Sequence, residues 1–158
     1  RGEEFVTKKI IRQLCEILIN KRKIINVGNI YSKRDWGYAP EYVQAMWKML
    51  QLRNKNDFVI GTGKSYTIKY FINEACNYLK IPIQWKGKGL FEYCLNKKNN
   101  KKIIIVNKKY YRPLDVNSLK SNPKRAKKFL NWCYDKDIKG LIKEMCDSEL
   151  EELNVNIK

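Results

Sequence analysis

The sequence contains no histidine, and that absence excludes a large class of sites. Imidazole zinc centres, Ser-His-Asp triads and histidine acid–base catalysis all need the missing side chain. Long apolar runs are also absent, and the sequence does not open with a charged segment followed by an apolar one. We therefore expect a cytoplasmic protein with neither a membrane span nor a secretory signal, and with no metal site.

Paired cysteines and glycine-rich motifs are missing as well. The five cysteines are odd in number and widely spaced, and no two form a C-x-x-C pair. They are therefore expected to be reduced thiols, several of them in the core. The eight glycines nowhere form G-x-x-G-x-x-G, so the sequence holds no complete dinucleotide-binding unit.

Acidic residues are scarce: 16 Asp and Glu stand against 33 Lys and Arg, which gives a net charge of +17. Such a field attracts polyanions, so a basic nucleic-acid-binding module is one interpretation of the chain. Much of the excess lies in lysine–asparagine runs such as NKKNNKK, which are typical of biased composition on solvated surfaces. Only seven of the basic residues are arginine, so their positions are more informative.

The apolar pattern predicts a single α/β domain. With 158 residues that are 44% apolar, the chain can bury a sizeable core. Apolar residues at helical spacing predict helices over 5–18 and 40–52, a third helix with Thr67 as its N-cap, and a final helix after Asp137. Short strands are predicted in IINVGNI, FVI (58–60), IPIQW and KIIIVN. The lysine- and asparagine-rich segment 86–102 is expected to be a flexible loop. Four strands do not complete a doubly wound sheet, so we expect part of the fold to lie upstream.

The stretch GTGKS at 61–65 resembles the end of a phosphate-binding P-loop. That motif requires a glycine five positions before Gly63, and Phe58 stands there. We therefore expect a tight turn at Gly63 with Lys64 exposed and no phosphate bound. A P-loop nucleotide-binding protein is the less favoured alternative.

Three segments combine arginine with turn residues and aromatic neighbours: RGEEFVTKKI (1–10), GNIYSKRDWGY (28–38) and YYRPLDVN (110–117). Arg34 and Arg112 each follow a predicted strand, where a planar guanidinium can hold two phosphate oxygens. A nucleotide would then lie across the ends of those strands. The alternative for Arg34 is a surface ion pair, for instance with Asp35.

Read together with YVQAMWKMLQ and FVIGTG, these segments resemble the GDP-mannose 4,6-dehydratase family over nearly the whole chain. The resemblance implies the C-terminal portion of an extended Rossmann-type short-chain dehydrogenase/reductase, mostly its nucleotide-sugar-binding subdomain. The cofactor-binding half and the catalytic residues would lie upstream, so the 158 residues alone would be inactive. The full-length enzyme would be an NADP-dependent lyase that converts GDP-mannose to GDP-4-keto-6-deoxymannose, the first step toward GDP-fucose. It would be a homo-oligomer, dimeric or tetrameric, binding neither nucleic acid nor membrane.

The resemblance also implies roles for individual residues. The substrate-binding residues would be Val6, Lys9, Asn29, Arg34, Arg112 and Asp115. Val6 and Lys9 would face the guanine, and the two arginines would hold the diphosphate. Arg1 would reach the NADP side of the site. The chain departs from the family pattern at Asp115, where the family has a glutamate one methylene longer for the ribose hydroxyls, and at Tyr38, where it has histidine.

Overall fold

The structure is a computed structural model that describes residues 5–53, 56–111 and 116–155. The α-helices in these ranges are α1 (Val6–Leu18), α2 (Ala39–Leu50), α3 (Ile68–Tyr78), α4 (Lys124–Leu130) and α5 (Ile138–Glu152). The strands are β1 (Ile25–Val27), β2 (Lys33–Arg34), β3 (Tyr66–Thr67), β4 (Ile83–Lys86), β5 (Tyr93–Asn96) and β6 (Lys101–Val106). The α/β class predicted from the sequence is confirmed.

Four strands form the main sheet in the order β1-β6-β5-β4. β1 runs parallel to β6, with Val27 opposite Val106, and the other pairs are antiparallel. β2 and β3 form a separate antiparallel ribbon. Because β1 and β6 are parallel and in register at their last residues, the chain leaves both strands at the same edge of the sheet. Ligands of α/β proteins usually bind at such an edge.

Three helices enclose the core on their apolar faces. α1 buries Ile10, Ile11 and Leu14 at helical spacing, as its sequence predicts. α3 begins after Thr67, whose side chain accepts a hydrogen bond from the Tyr70 backbone N–H at 3.0 Å, so the predicted N-cap is confirmed. These two helices pack against α5 and against the strands in one hydrophobic cluster.

The same three helices end in the same way. The residue after each C-cap has a left-handed backbone: φ is 60° at Asn20, 55° at Lys80 and 55° at Asn154. The following N–H then bonds a carbonyl five residues back, as Lys21 does to Glu16 at 2.9 Å. This is the Schellman arrangement, in which glycine is the usual left-handed residue.

Two sequence-based predictions of secondary structure are wrong. Residues 58–60 are not a strand, since they pair with no other backbone within the described residues and Val59 is exposed. The segment 86–102 is not a loop: β5 runs through it and β6 begins in it, because Cys94 and Leu95 are buried beneath the lysine-rich surface. The lysine-rich composition reflects the outer face of this hairpin, whereas the residues on its inner face are apolar and buried.

Four of the five cysteines are buried, and they belong to different elements: Cys15 in α1, Cys76 in α3, Cys94 in β5 and Cys146 in α5. Cys133 is exposed, and all five are free thiols, as the sequence predicts. Burial raises the pKa of Cys15 and Cys94 to about 12. None of the helices in the described ranges is long and apolar enough to cross a membrane.

Candidate functional site

A cavity of about 620 Å³ lies at the sheet edge where β1 and β6 end, and we call it the strand-end pocket. Its walls come from the start of α1, from β1 and the turn after it, from β2, and from the segment that follows β6. The lining residues are Phe5, Val6, Lys9, Ile10, residues 25–29, Arg34, Ile68, Lys109 and Tyr110. The pocket thus joins parts of the chain that are about a hundred residues apart in sequence.

The strand-end pocket brings together every candidate substrate residue that the structure describes. Val6 and Lys9 lie in the first turn of α1, Asn29 follows β1, and Arg34 ends β2. The Lys9 ammonium lies 4.4 Å from the centroid of the Tyr110 ring, a cation–π contact on the pocket wall. Cationic and aromatic groups are therefore presented together, as a nucleotide requires.

Arg34 is held in place by the backbone. Its guanidinium donates to the Lys33 carbonyl at 2.8 Å and to the Val116 carbonyl at 2.7 Å. Both bonds go to backbone carbonyls, so they orient the guanidinium group within the pocket. Residue 33 also bridges to Ser118, which ties the chain after residue 115 to β2.

Arg1, Arg112 and Asp115 lie outside the described residues. The described residues nearest to the last two are informative, however. Tyr110 lines the strand-end pocket, and the Val116 carbonyl accepts a hydrogen bond from Arg34 in the same pocket. The roles implied for Arg112 and Asp115 remain predictions.

The glycine turn at 61–63 binds an anion, but the anion is the protein's own Asp35 carboxylate. Its Oδ1 accepts from the Thr62 N–H at 3.1 Å and hydroxyl at 2.6 Å. Its Oδ2 accepts from the Gly63 N–H at 3.1 Å, and from the Ser121 N–H at 3.1 Å and hydroxyl at 2.5 Å. Gly63 has φ of 73°, and Lys64 is exposed. The tight turn and exposed lysine expected from the sequence are confirmed. The N–H groups of this turn already bind Asp35, which argues against a P-loop role for them.

These hydrogen bonds also set the protonation of Asp35. Burial by itself would raise the pKa of the carboxyl, but the hydrogen bonds from Ser121 and Thr62 outweigh it and hold the pKa below its ordinary value. Within the described residues the Asp35 carboxylate is bound by Thr62, Gly63 and Ser121, and not by Arg34, with which a surface ion pair was considered. Asp35 joins its own segment, next to Arg34, to two distant segments at 62–63 and 121.

A second acidic residue that the sequence analysis missed lies behind the pocket. Glu92 is only 2% exposed, and its carboxylate accepts from the Lys69 ammonium at 2.6 Å and from the Tyr31 hydroxyl at 2.7 Å. The Lys69 ammonium also lies 5.0 Å from the Trp85 ring centroid. Four separate parts of the chain supply Tyr31, Lys69, Trp85 and Glu92 to this cluster, and no local sequence motif marks it.

The comparison with known families decides the assignment. The family model for GDP-mannose 4,6 dehydratase matches residues 1–145. The chain belongs to the GDP-mannose 4,6-dehydratase family. The resemblance drawn from the sequence is thereby confirmed.

Individual relatives agree with this family. The GDP-mannose 4,6 dehydratase of Dictyostelium discoideum is 40% identical over 151 residues, which cover 96% of this chain and 42% of that protein. The human GDP-mannose 4,6 dehydratase is 36% identical over 156 residues, which cover 99% of this chain and 42% of that protein. The chain thus spans about two fifths of the length of these GDP-mannose 4,6-dehydratase family members.

Solved structures show the same fold at low sequence identity. RMD from Pseudomonas aeruginosa, complexed with NADPH, matches with a TM-score of 0.76 at 13% identity, over 96% of this chain and 44% of that one. The dTDP-glucose 4,6-dehydratase of Bacillus anthracis, in complex with NAD, matches with a TM-score of 0.68 at 15% identity, over 96% and 40%. The fold is therefore that of part of an extended short-chain dehydrogenase/reductase.

Proposed function

We propose that this chain is the GDP-binding part of an NADP-dependent lyase that converts GDP-mannose to GDP-4-keto-6-deoxymannose. The lyase would act in the cytoplasm as a dimer or tetramer. The observation that carries the proposal is the strand-end pocket, in which Val6, Lys9, Asn29 and Arg34 meet although they come from three elements. Membership of the GDP-mannose 4,6-dehydratase family supports GDP-mannose as the nucleotide sugar.

The pocket has the chemistry that a nucleoside diphosphate needs. The guanidinium of Arg34 and the ammonium groups of Lys9 and Lys109 supply positive charge, and Tyr110 supplies an aromatic surface. Guanine carries hydrogen-bond acceptors at O6 and N7, to which a lysine ammonium can donate. Lys9 at the start of α1 is proposed for that contact, with the Val6 backbone beside it, and Arg34 is proposed for the diphosphate.

The cofactor is proposed from family membership, with support from the NADPH and NAD in the two solved structures. A dinucleotide pyrophosphate usually sits on a glycine-rich turn that opens a helix in a parallel β-α-β unit. The described residues do not fit that group, because the glycine turn at 61–63 leads into β3 of an antiparallel ribbon and its N–H groups already bind Asp35. The chain's own part in the reaction is therefore to hold and orient the nucleotide, with Arg1 proposed on the cofactor side.

Nucleotide titration tests the proposal. Isothermal titration of the chain with GDP, ADP and UDP should show binding that prefers GDP, and the Arg34→Ala variant should bind GDP more weakly. Titration with a generic oligonucleotide at low and high salt tests the nucleic-acid alternative, in which affinity falls steeply as salt rises. Equal binding of all three nucleotides together with strongly salt-dependent oligonucleotide binding would overturn the proposal.

Catalysis should be absent from the 158 residues by themselves, because hydride transfer requires a bound nicotinamide cofactor. Incubation with GDP-mannose and NADP should give no 4-keto sugar. Formation of that product would mean that the roles proposed for this chain are wrong.

A further inference from the structure

The cluster behind the strand-end pocket contains the strongest unexplained feature of the fold, the Glu92 carboxylate. A carboxylate that is 2% exposed is costly unless it is paired and hydrogen-bonded. Each carboxylate oxygen of Glu92 accepts one hydrogen bond: Oε1 accepts from the Lys69 ammonium and Oε2 accepts from the Tyr31 hydroxyl. The Glu92 backbone is fixed too, since its carbonyl accepts from the Val106 N–H at 3.0 Å at the end of β6. The carboxylate is thus a rigid anchor.

Tyr31 connects this anchor to the turn that follows β1. The Tyr31 N–H donates to the Asn29 side-chain oxygen at 3.0 Å. The Ile30 carbonyl between them accepts from the Lys69 N–H at 2.8 Å, at the start of α3. The turn at 28–32 is therefore held by three hydrogen bonds. One lies within the turn, from Tyr31 to Asn29, and the other two join the turn to Glu92 and Lys69.

Gly28 and Asn29 are the residues of this turn that line the strand-end pocket, and only Asn29 brings a polar side chain. Its side-chain oxygen accepts from Tyr31, and no acceptor among residues 5–53, 56–111 and 116–155 takes its amide nitrogen, whose two N–H donors can therefore bind a ligand. The orientation of this amide depends on Tyr31, because rotation of the amide would break the bond from the Tyr31 N–H. The Tyr31 ring itself is 53% exposed, so its hydroxyl bond to Glu92, and not burial, fixes its place.

We propose that Tyr31 and Glu92 are positioning residues for nucleotide binding: the bond from the Tyr31 hydroxyl to the buried Glu92 carboxylate holds the 28–32 turn so that the Asn29 amide donates to a nucleoside diphosphate in the strand-end pocket. This inference rests on the proposed function. Lys69 compensates the Glu92 charge and completes the anchor.

Tyr31→Phe tests the inference by removing one oxygen atom from a half-exposed side chain. Tyr78→Phe is its matched control, because the Tyr78 hydroxyl also donates to a carboxylate, Asp147, at 2.5 Å between α3 and α5 and away from the pocket. Each variant loses one phenol–carboxylate hydrogen bond. Melting temperatures and GDP titrations should be compared for both variants with the unaltered chain.

We expect Tyr31→Phe to bind GDP about 5- to 10-fold more weakly, which corresponds to about 1–1.4 kcal/mol, while Tyr78→Phe stays within about 2-fold. Melting temperatures of the two variants should agree. Equal GDP affinity for Tyr31→Phe and the unaltered chain would overturn the positioning role and leave the proposed function intact. Equal loss in both variants would also overturn it, since the effect would then be general destabilisation.

Amide hydrogen exchange separates the two hypotheses. With no nucleotide present, the backbone N–H of residue 31 should exchange faster in the Tyr31→Phe variant than in the unaltered chain. The Tyr78→Phe variant should leave the exchange rate at residue 31 unchanged. If the unaltered chain does not bind GDP, the proposed function fails and the inference about nucleotide binding fails with it. If it binds GDP but the exchange rate at position 31 does not change, only the positioning role is wrong.

Discussion

Removing the Asp35 carboxylate should destabilise the fold more than the loss of any other exposed or half-buried acid in the described part of the chain. Three backbone N–H groups point at this carboxylate, from Thr62, Gly63 and Ser121, together with two hydroxyls. In Asp35→Ala the Thr62 and Ser121 N–H groups lose their acceptor, at about 1–3 kcal/mol for each group that is fully buried, while the Gly63 N–H keeps the Ser121 hydroxyl oxygen at 3.0 Å. The site is half-buried and water relieves part of the loss of these two bonds, so we expect a total of about 2–4 kcal/mol.

Asp35→Asn should lower the free energy of unfolding by less than Asp35→Ala, because the amide keeps one of the two acceptor oxygens. The amide keeps one oxygen, which should face Gly63 and Ser121, where two backbone donors converge. The amide nitrogen then faces Thr62, whose hydroxyl can turn to accept while its N–H is left unpaired. One lost backbone bond predicts a cost of about 1–3 kcal/mol. Asp57→Asn, at an exposed position, is the control and should change stability by less than about 0.5 kcal/mol.

Urea denaturation at neutral pH measures these differences as free energies of unfolding. The order of stability should be the unaltered chain, Asp35→Asn and then Asp35→Ala, and a free energy for Asp35→Ala within 1 kcal/mol of the unaltered chain would refute the reasoning. The pH dependence adds a second test. The pKa of Asp35 is lower in the folded chain than its ordinary value of 3.8, so its contribution is full above that value and is lost as the pH falls through the folded-state pKa. Asp35→Ala should lack this acid-induced loss.

Three further predictions concern other parts of the chain. Arg34→Ala should weaken GDP binding by about 1.5–3 kcal/mol, the value of charge-assisted bonds to a diphosphate, and titration showing unchanged affinity would contradict its proposed role. Lys109→Ala should weaken GDP binding while Lys108→Ala, one residue outside the strand-end pocket, should not; equal effects in titration at matched salt would point to general charge alone. Lys80→Gly should raise the free energy of unfolding by about 0.5–1 kcal/mol, because a left-handed backbone costs lysine about 1–2 kcal/mol and glycine very little, and an unchanged urea midpoint would contradict this.

Local patterns predicted most of the secondary structure because helices carry their own signal. The stripes of α1 and α3 and the Thr67 cap are each contained in a few neighbouring residues. A strand depends on a partner that may be far away in sequence, so the apolar run at 58–60 was misread, and so was the hairpin inside 86–102.

In the candidate site, too, residues within recognisable local segments could be predicted and long-range contacts could not. Lys9, Asn29 and Arg34 could be named because they stand in segments that resemble a known family, and the structure places them in one pocket. The partners of Asp35 and Glu92 could not be named, since each carboxylate bonds residues between 23 and 86 positions away. Sequence spacing carries no information about such contacts until the fold brings the segments together.

The distribution of the cysteines gives the chain a natural reporter of its own opening. A thiol reagent at neutral pH should modify Cys133 at once, because its side chain is on the surface. The other four thiols are enclosed in α1, α3, β5 and α5, and burial keeps them protonated, so each reacts only when its own element opens. Mass spectrometry of the labelled peptides over time would therefore follow the opening of four separate elements in one sample, without any engineered probe.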